Sequence, residues 1–376
     1  MGTQQQGASA GTPAALPSFY AVVPAGGAGT RLWPLSRADR PKFFHDLTGS
    51  GQSLLQQTAH RLRPLCAERL MVVTGPTHAA EVAESLPSLV ARNLLVEPSP
   101  KDSLPAIGGA AAVAALRDPE AVIGSFAADH IIEDEAAFRR CVTTAVAVAQ
   151  RDVLVTLGVQ PTYAATGFGY IRPGPACSWH ADGTESAYRV ESFVEKPSAE
   201  VAERYVGEGH LWNAGMFVVR ADVLLRMIEQ WQPELAGALR AAAADPAAIE
   251  SRWASVSARS IDRAVAEPAA DAGQVVVVPA DFDWDDLGTF RALHHHLADD
   301  PHRPGLRVLG GGTSVVSVES TGLVVARGDR TVTLLGIQDV VIVDTPDALL
   351  VSTRDRVEDV STVVQALHRG GREDLT

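Results

Sequence analysis

A glycine-rich turn after the first apolar run is the clearest candidate for anion chemistry. The run Phe19–Val23 predicts a strand, and Pro-Ala-Gly-Gly-Ala-Gly-Thr-Arg follows it at positions 24–31. Glycines let backbone N–H groups approach an anion closely, because no Cβ stands in the way. Arg31 and, further along, Lys42 would add positive charge. We therefore expect this turn to bind phosphate groups.

Two common glycine-rich phosphate motifs do not fit this turn. A P-loop requires Gly-Lys-Ser/Thr, whereas this turn ends in Gly29-Thr30-Arg31. A dinucleotide-binding turn opens directly into a helix whose N-terminus holds the pyrophosphate. Pro34 and Pro41 interrupt the next segment of this chain, so a long helix directly after the turn is not expected. The turn therefore argues against a dinucleotide-dependent dehydrogenase.

Aspartates follow two later apolar runs. Asp129 comes shortly after the run Val122–Phe126, and four aspartates follow the run Val275–Val278, at positions 281, 283, 285 and 286. Two carboxylates from separate strand ends suit a hydrated Mg²⁺ on a nucleotide phosphate, because phosphate and water oxygens complete its coordination. A lone Asp after a strand is as often a turn or cap residue. The pair carries more weight than either residue.

Lysine is rare in this chain. Of 32 basic residues only Lys42, Lys101 and Lys196 are lysines, so arginine does nearly all other cationic work. A compact ammonium and a planar guanidinium are not interchangeable at a tight phosphate site. Lys196 lies in Glu195-Lys196-Pro197, where a surface ion pair before a helix is the alternative explanation. The alternative explanation for all three lysines is that they lie on solvated loops by chance and have no role in phosphate binding.

The elements that would position these residues alternate between strand and helix through about 290 residues. The predicted strands are Phe19–Val23, Leu70–Thr74, Leu94–Val96, Ala121–Phe126, Val153–Val159, Tyr188–Phe193, Met216–Val219 and Gln274–Val278. The predicted helices are Thr77–Leu86, Leu104–Leu116, Glu135–Gln150 and Ala221–Trp231. This order implies a mainly parallel sheet covered on both faces, with ligands beyond the carboxyl ends of its strands.

The pattern changes near Pro301. From about Leu306 to Val351, short β-rich pieces are separated by Gly and Asp turns, and Val357–His368 is typical of a closing amphipathic helix. Short stacked strands of this kind are compatible with a partial β-helix. We predict a disordered tail at 1–17, a catalytic domain at 18–300 and a small β-rich domain with a closing helix at 301–376.

Six ordered motifs carry a family resemblance. PAGGAGTRLWPLSRADRPKFF resembles the signature of nucleoside-diphosphate-sugar pyrophosphorylases, and its LWPLSR…PK form resembles the mannose-1-phosphate guanylyltransferase branch. FAADHII, TGFGYI, FVEKP, WNAGMFVV and FDWDDLGTF come after it in the family's order. The resemblance covers roughly residues 19 to 351. It implies an α/β, Rossmann-like fold of the nucleotidyltransferase (GT-A-like) type, with a mixed, mainly parallel sheet flanked by helices and a small C-terminal partial β-helix.

The resemblance also implies roles for single residues. The nucleotide-binding residues would be Ala25, Gly26, Gly27, Gly29, Thr30, Asp102 and Ser103. Arg31 would clamp the departing phosphates, Lys42 would steady the triphosphate, and Lys196 would bind the sugar 1-phosphate. The sugar-binding residues would be Gly169, Glu195 and Asn213, and Asp129 and Asp286 would hold Mg²⁺. Trp212 and Trp284 could stack on the sugar, although core positions are the favoured interpretation.

One segment departs from the family pattern. The branch usually has an Arg-Asn-Thr-Ala-Pro-Ala type segment after its Glu-Pro, whereas Glu97-Pro98 is followed here by Ser-Pro-Lys-Asp-Ser-Leu-Pro-Ala. This segment approaches the nucleotide in the family. The Asp102 carboxylate could accept hydrogen bonds from guanine N1–H and N2–H₂, which would preserve a preference for guanine.

Composition excludes several other classes of protein. A formal charge of −13 opposes nucleic-acid binding, and no run of 18 apolar residues predicts a membrane span. The odd number of cysteines, three without CxxC spacing, suits a reduced cytoplasmic protein. The histidines lack an HExxH spacing, and no G-x-S-x-G is present. We interpret His130 as structural and His294–His296 as a solvated face.

Together with the phosphate-binding candidates, the resemblance implies a Mg²⁺-dependent transfer of a guanylyl group from GTP to mannose 1-phosphate, giving GDP-mannose and diphosphate. A transferase acting on glucose 1-phosphate with dTTP, ATP or UTP is the nearest alternative. A non-catalytic subunit that senses sugar nucleotides is an alternative from another class. The β-rich region could also form the surface of a homodimer.

Overall fold

The computed structural model describes residues 15–27, 29–177, 187–245, 249–254, 256–310 and 315–376. Residues 1–14 of the predicted disordered tail lie outside the described residues. The last part of that segment is held in place: the Leu16 N–H donates to the Leu65 carbonyl at 2.8 Å, and Arg69 Nη2 donates to the Leu16 carbonyl at 2.7 Å. The ordered chain therefore begins before residue 18.

The part of the chain before residue 300 contains the main sheet. The strands in this part of the chain are β1 (Phe19–Ala25), β2 (Leu70–Thr74), β3 (Leu94–Val96), β4 (Val122–Ser125), β5 (Ile131–Ile132), β6 (Leu154–Val159), β7 (Gly169–Ala176), β8 (Tyr188–Glu195), β9 (Leu211–Arg220), β10 (Val275–Ala280) and β11 (Trp284–Asp285). In the described ranges, nine of them form one sheet in the order β3-β2-β1-β4-β9-β6-β10-β8-β7. All of these except β8 and β9 run in the same direction. The predicted mixed, mainly parallel α/β sheet is confirmed.

Helices cover both faces of this sheet. They are α1 (Leu54–Cys66), α2 (Pro76–Ser85), α3 (Ser103–Arg117), α4 (Glu135–Ala149), α5 (Ala199–Gly207), α6 (Ala221–Trp231), α7 (Pro233–Ala244), α8 (Ile249–Trp253), α9 (Glu267–Asp271) and α10 (Phe290–His296). Because side chains alternate along a strand, Phe19, Ala21 and Val23 of β1 enter the core under α1 and α4. Tyr20 and Val22 enter the core under α3 and α6.

Helix α1 and strand β7 are among the elements before residue 300 that are not predicted from the sequence. Helix α1 begins after Ser53, whose hydroxyl accepts from the Gln56 N–H while the Gln56 side chain accepts from the Ser53 N–H, a capping box. Strand β7 contains Pro173 and Pro175, which weaken a strand prediction. Both prolines lie beyond the Gly169–Ile171 portion of β7 that pairs with β9.

The chain after residue 300 forms a β-rich unit of stacked short strands. They are β12 (Leu306–Leu309), β13 (Val315–Val318), β14 (Gly322–Ala326), β15 (Val332–Leu335), β16 (Val340–Asp344) and β17 (Leu349–Thr353), followed by helix α11 (Val360–Arg369). Strands β12, β14 and β16 pair in parallel, β13 pairs in parallel with β15, and β17 closes one edge in an antiparallel pairing. This parallel stacking matches the predicted partial β-helix.

Candidate active site

A two-residue β-ladder brings the two candidate metal ligands together. Strand β5 follows Asp129 and strand β11 precedes Asp286, and these strands pair antiparallel. Lys42 links the two loops: its Nζ lies 3.0 Å from Asp129 Oδ2 and donates to the Asp286 carbonyl at 2.5 Å. Both carboxylates therefore lie beyond the carboxyl ends of the parallel strands, where the sequence places the chemistry.

The Lys42 ammonium is occupied by contacts with protein oxygens. Its side chain is only 10% exposed, and its Nζ also donates to the Leu287 carbonyl at 3.3 Å. An ammonium has three N–H bonds, and these contacts with Asp129, Asp286 and Leu287 use all three. This differs from the expectation that Lys42 steadies the triphosphate directly. Its contacts support a role in positioning the two acidic loops, to which it also adds positive charge.

The protonation states suit this arrangement. Burial opposes ionisation of Asp129, but the charge and hydrogen bond of Lys42, together with weaker contacts, outweigh burial and hold the pKa of this carboxyl below its ordinary value. Burial lowers the pKa of His130, and Trp284 Nε1 donates to its Nδ1 at 3.1 Å. The imidazole is thus a neutral hydrogen-bond acceptor, in agreement with the structural role expected for His130.

Gly29 lets the glycine-rich turn pass close to Lys42. Its φ of 58° lies in the left-handed region. A Cβ at this position would stand 2.8 Å from Ser36 Oγ and 3.1 Å from Lys42 Cγ. A larger residue would therefore push against the side chain that joins the two acidic loops.

The rest of the turn is open to a ligand. Gly26, Gly27 and Thr30 are exposed, and the Ala25 carbonyl at the end of β1 accepts from Thr74 Oγ1 at 2.7 Å. The Arg31 side chain is 55% exposed, and its Nη2 lies 4.0 Å from Asp286 Oδ2. The guanidinium is therefore available to an anion beside the acidic pair.

A cleft of about 270 Å³ opens next to these residues. Its lining includes Pro24, Ser103, His130, Gly169, Glu195, Asn213, Asp262, Trp284 and Asp286. Gly169 makes room for the Glu195 carboxylate, because a Cβ there would lie 2.6 Å from Glu195 Oε2. Candidate residues for the nucleotide, the sugar and the metal thus share one cleft.

Two family models divide the chain in the same way as the fold. A model described as nucleotidyl transferase matches residues 20–302, and one described as MannoseP isomerase/GMP-like beta-helix domain matches residues 313–367. The chain belongs to the nucleotidyl transferase family. The resemblance found in its sequence motifs is confirmed.

Individual relatives of this nucleotidyl transferase cover nearly the whole chain. The mannose-1-phosphate guanylyltransferase of Escherichia coli K12 is 37% identical over 95% of this chain and 75% of its own length. The xanthan biosynthesis protein XanB of Xanthomonas campestris pv. campestris is 38% identical over 94% of this chain and 74% of its own. Among solved structures, the mannose-1-phosphate geranyltransferase of Thermus thermophilus matches with a TM-score of 0.81 and 35% identity, over 93% of this chain and 99% of that one.

Lys196 stands at the rim of the nucleotidyl transferase cleft. Its side chain is 59% exposed, and its Nζ lies 3.2 Å from Oε1 of the cleft residue Glu195. Its φ of 50° is in the left-handed region, and its N–H donates to the Phe168 carbonyl at 3.2 Å. The ion pair that the sequence offered as an alternative explanation is present. It leaves the ammonium accessible to a phosphate.

Asn213 is buried with its amide orientation defined by three contacts. Its Oδ1 accepts from Thr156 Oγ1 at 3.0 Å and from the Gly215 N–H at 3.2 Å, while its Nδ2 donates to Asp262 Oδ1 at 2.6 Å. Asp262 was not predicted from the sequence. It follows no predicted strand, so only the folded chain places it in the cleft.

Two acidic residues belong to the segment between β3 and α3 that the family resemblance assigns to the nucleotide. Asp102, with a φ of 69°, caps α3: its Oδ1 accepts from the Ser103 N–H at 2.7 Å, and Ser103 Oγ accepts from the Ile261 N–H at 3.0 Å. Glu97, at the end of β3, was not predicted. Burial raises the pKa of its carboxyl to about 7, and its buried Oε1 has no hydrogen-bond partner in the described part of the chain.

His296 does not lie on the solvated face expected for residues 294–296. Its side chain is nearly buried, with Nε2 3.2 Å from Asp285 Oδ2 and Nδ1 3.6 Å from Glu133 Oε1. The contact with Asp285 outweighs burial and raises the pKa of His296. The imidazole therefore helps to hold β11 against α10.

The two tryptophans have different surroundings. Trp212 is buried in the core, as the favoured interpretation has it. Trp284 is only partly buried, lines the cleft and contacts Phe168 with ring centroids 5.1 Å apart. Trp284 thus remains available as an apolar wall for a bound sugar.

No helix in the described ranges has the length and apolar character needed to cross a bilayer.

Proposed function

We propose that the chain joins mannose 1-phosphate to GTP, forming GDP-mannose and releasing diphosphate. The observation that carries the proposal is the convergence of Arg31 and Asp286, 4.0 Å apart, with Asp129 and the cleft residue Glu195 at one sheet edge. Relatives that carry the name mannose-1-phosphate guanylyltransferase, at 36–38% identity, support the choice of substrates.

We propose that a divalent cation binds at the two acidic loops. Asp129 and Asp286 offer carboxylate oxygens, the hard donors that Mg²⁺ prefers. In the residues that the structure describes, no group of three or more His, Cys, Asp or Glu side chains is arranged to hold a metal ion by itself. The protein would thus supply two ligands, and phosphate and water oxygens would supply the rest. When bound, Mg²⁺ would neutralise charge on the triphosphate.

The reaction needs no general base from the protein. A sugar 1-phosphate has a second pKa near ~6 and is mostly dianionic at neutral pH, so its oxygen can attack the α-phosphorus of GTP in line. The obstacle is charge repulsion, because each pair of unit charges at ~4 Å costs about 4 kcal/mol at an effective dielectric constant of ~20. Arg31 beside the metal ligands and Lys196 at the rim would offset this repulsion on the two phosphate groups.

Guanine selection would depend on Glu97 or Asp102. Guanine presents N1–H and N2–H₂ on one edge, and a carboxylate can accept from both. Glu97 offers a buried oxygen without a partner, whereas one oxygen of Asp102 already caps α3. These contacts favour Glu97 over Asp102, the residue proposed from sequence.

The reaction is tested by diphosphate release. The chain is mixed with Mg²⁺ and each of GTP, ATP, UTP and dTTP, with mannose 1-phosphate or glucose 1-phosphate as acceptor. Release should be fastest with GTP and mannose 1-phosphate. Faster release with another pair would show that this other pair is the substrate pair. No release with any pair would favour a sugar-nucleotide-sensing subunit.

Arg31→Ala and Asp286→Asn should each lower kcat by about 10²-fold, since each group acts on charge that develops in the transition state. Arg240→Ala is the matched control, because Arg240 pairs on the surface with Glu229 of α6. Circular dichroism should report an unchanged fold. A variant with near-normal turnover would remove that residue from the mechanism.

We also propose that two copies associate through the β-rich unit, where several apolar side chains of β13 and β15 are exposed. We further propose a cytoplasmic location, which the odd number of cysteines supports.

A further inference from the structure

Asp262 is an acidic residue of the cleft that no motif accounts for. It begins the short helical segment Asp262–Ala266 and lines the cleft together with Glu195 and Asn213. Its Oδ1 accepts from Asn213 Nδ2 at 2.6 Å. No second side chain in the described part of the chain donates to this carboxylate, and a carboxylate can accept about four hydrogen bonds, so it keeps the capacity to accept more.

The network behind Asp262 is already satisfied. Both lone-pair directions of Asn213 Oδ1 are taken by Thr156 Oγ1 and the Gly215 N–H. Asn213 therefore cannot turn its amide without breaking two hydrogen bonds, and it presents an N–H to Asp262. This fixed contact orients the Asp262 carboxylate from behind. A carboxylate held in one orientation can recognise a ligand donor at little entropic cost.

The charge around Asp262 indicates the kind of ligand it would accept. Burial, and after it the negative charge of Glu195, raise the pKa of the Asp262 carboxyl to about 6. The ammonium of Lys196, at the rim of the cleft, is paired with Glu195. Two carboxylates that face one partly buried space are stabilised by hydrogen-bond donors and repel anions. The hydroxyl groups of a hexose are such donors, whereas a phosphate group would be repelled.

We propose that Asp262 is a second sugar-binding carboxylate, which accepts a hydrogen bond from a hydroxyl group of the hexose while Glu195 accepts from another. The inference rests on the proposed function, because it assigns a further contact to the same sugar 1-phosphate. Asp262 would then select the hexose and contribute nothing to binding of the nucleotide.

The test compares how tightly the chain binds GDP-mannose and GDP, by isothermal titration calorimetry with Mg²⁺ present. The ratio of the two affinities isolates the hexose, because both ligands share the guanosine diphosphate. Asp262→Asn should reduce this ratio by about 10-fold or more, the effect of losing a hydrogen bond to a charged group. The affinity for GDP and the KM for GTP should stay within about twofold of the wild-type values, a change of less than ~0.5 kcal/mol.

Asp271→Asn is the matched control, because it makes the same change of residue type at an exposed position of α9. It should leave the ratio unchanged. The amide oxygen introduced by Asp262→Asn can still accept from Asn213, so the fold should persist in thermal unfolding. If Asp262→Asn unfolds, Asp262→Ser, which is small and keeps an acceptor, should give the same loss of ratio.

Two failures can be told apart. A wild-type chain that makes no GDP-mannose and binds GDP-mannose no more tightly than GDP would contradict the proposed function. A wild-type chain that prefers GDP-mannose, together with an Asp262→Asn variant of unchanged ratio, would overturn only the role of Asp262. An equal loss of affinity for GDP and GDP-mannose would overturn it as well, since the residue would then act on the nucleotide.

Discussion

Glu97 carries a carboxyl group that burial keeps close to half-protonated at neutral pH. The pKa of this group is raised to about 7 in the folded chain, against an ordinary value of about 4.3 in an unfolded one. Between these two values the folded chain binds more protons than the unfolded chain. The free energy of unfolding contributed by Glu97 is therefore greatest at low pH and falls as the pH rises towards 7.

Glu97→Gln should remove this pH dependence, because an amide resembles the neutral acid and cannot ionise. The variant should have nearly the wild-type Tm at pH 5 and exceed it by a few degrees at pH 8. Thermal unfolding without nucleotide, measured from pH 4.5 to 8, checks this. Glu84→Gln on the exposed face of α2 is the control. A Tm difference for Glu97→Gln that does not grow with pH would contradict the prediction.

At the scale of elements, the C-terminal helix supports the glycine-rich turn. Leu32 and Trp33, which follow Arg31, share one apolar core with Val360 and Val364 of α11. Trp33 Nε1 donates to the Leu375 carbonyl at 2.6 Å, near the last residue of the chain. Leu287, next to Asp286, belongs to the same core. The β-rich unit thus braces both loops on which the proposed chemistry depends.

Trp33→Phe should lower kcat by roughly 2–10-fold, because it keeps the ring in the core and removes one hydrogen bond of about 0.5–1.5 kcal/mol. Deleting residues 372–376 removes the acceptor and should have the same effect, while KM for both substrates changes less than kcat. Trp231→Phe, a partly exposed position of α6, serves as the control. Unchanged kcat in both altered chains would show that the contact is irrelevant to turnover.

At the scale of the whole molecule, the β-rich unit presents apolar side chains to solvent. Val316 and Val318 of β13 and Leu335 of β15 are 45%, 48% and 72% exposed, and Val318 pairs with Leu335 across the ladder. Both strands are also edges of a two-stranded sheet in the described residues. Proteins usually cover exposed apolar edges of this kind. A second copy of the chain is the occupant that we propose.

Leu335→Asp should therefore shift the chain from dimer to monomer in multi-angle light scattering at micromolar concentration. The reason is that a charge at the centre of an apolar interface must lose its hydration when the copies associate. Leu116→Asp is the control, because Leu116 is 65% exposed on α3, outside the β-rich unit. A wild-type chain that is monomeric throughout would contradict the proposed dimer.

The sequence by itself determined the family, the fold class and the edge of the sheet at which the candidate residues lie. Strands such as Leu70–Thr74 have the predicted bounds because their apolar runs end in turn residues, and local composition is enough to define them. The same holds for Asp129 and Asp286, because a carboxylate that follows a parallel strand must lie at the sheet edge.

Tertiary structure alone decided how each charged group is used. All three N–H bonds of the Lys42 ammonium point to protein oxygens. Glu97 has a buried oxygen without a hydrogen-bond partner in the described residues, and Asp262 lines the cleft although its segment carries no motif. His296 is buried against Asp285 rather than solvated. Hydrogen-bond partners and burial depend on residues that are distant in the chain, so neither spacing nor residue type predicts them.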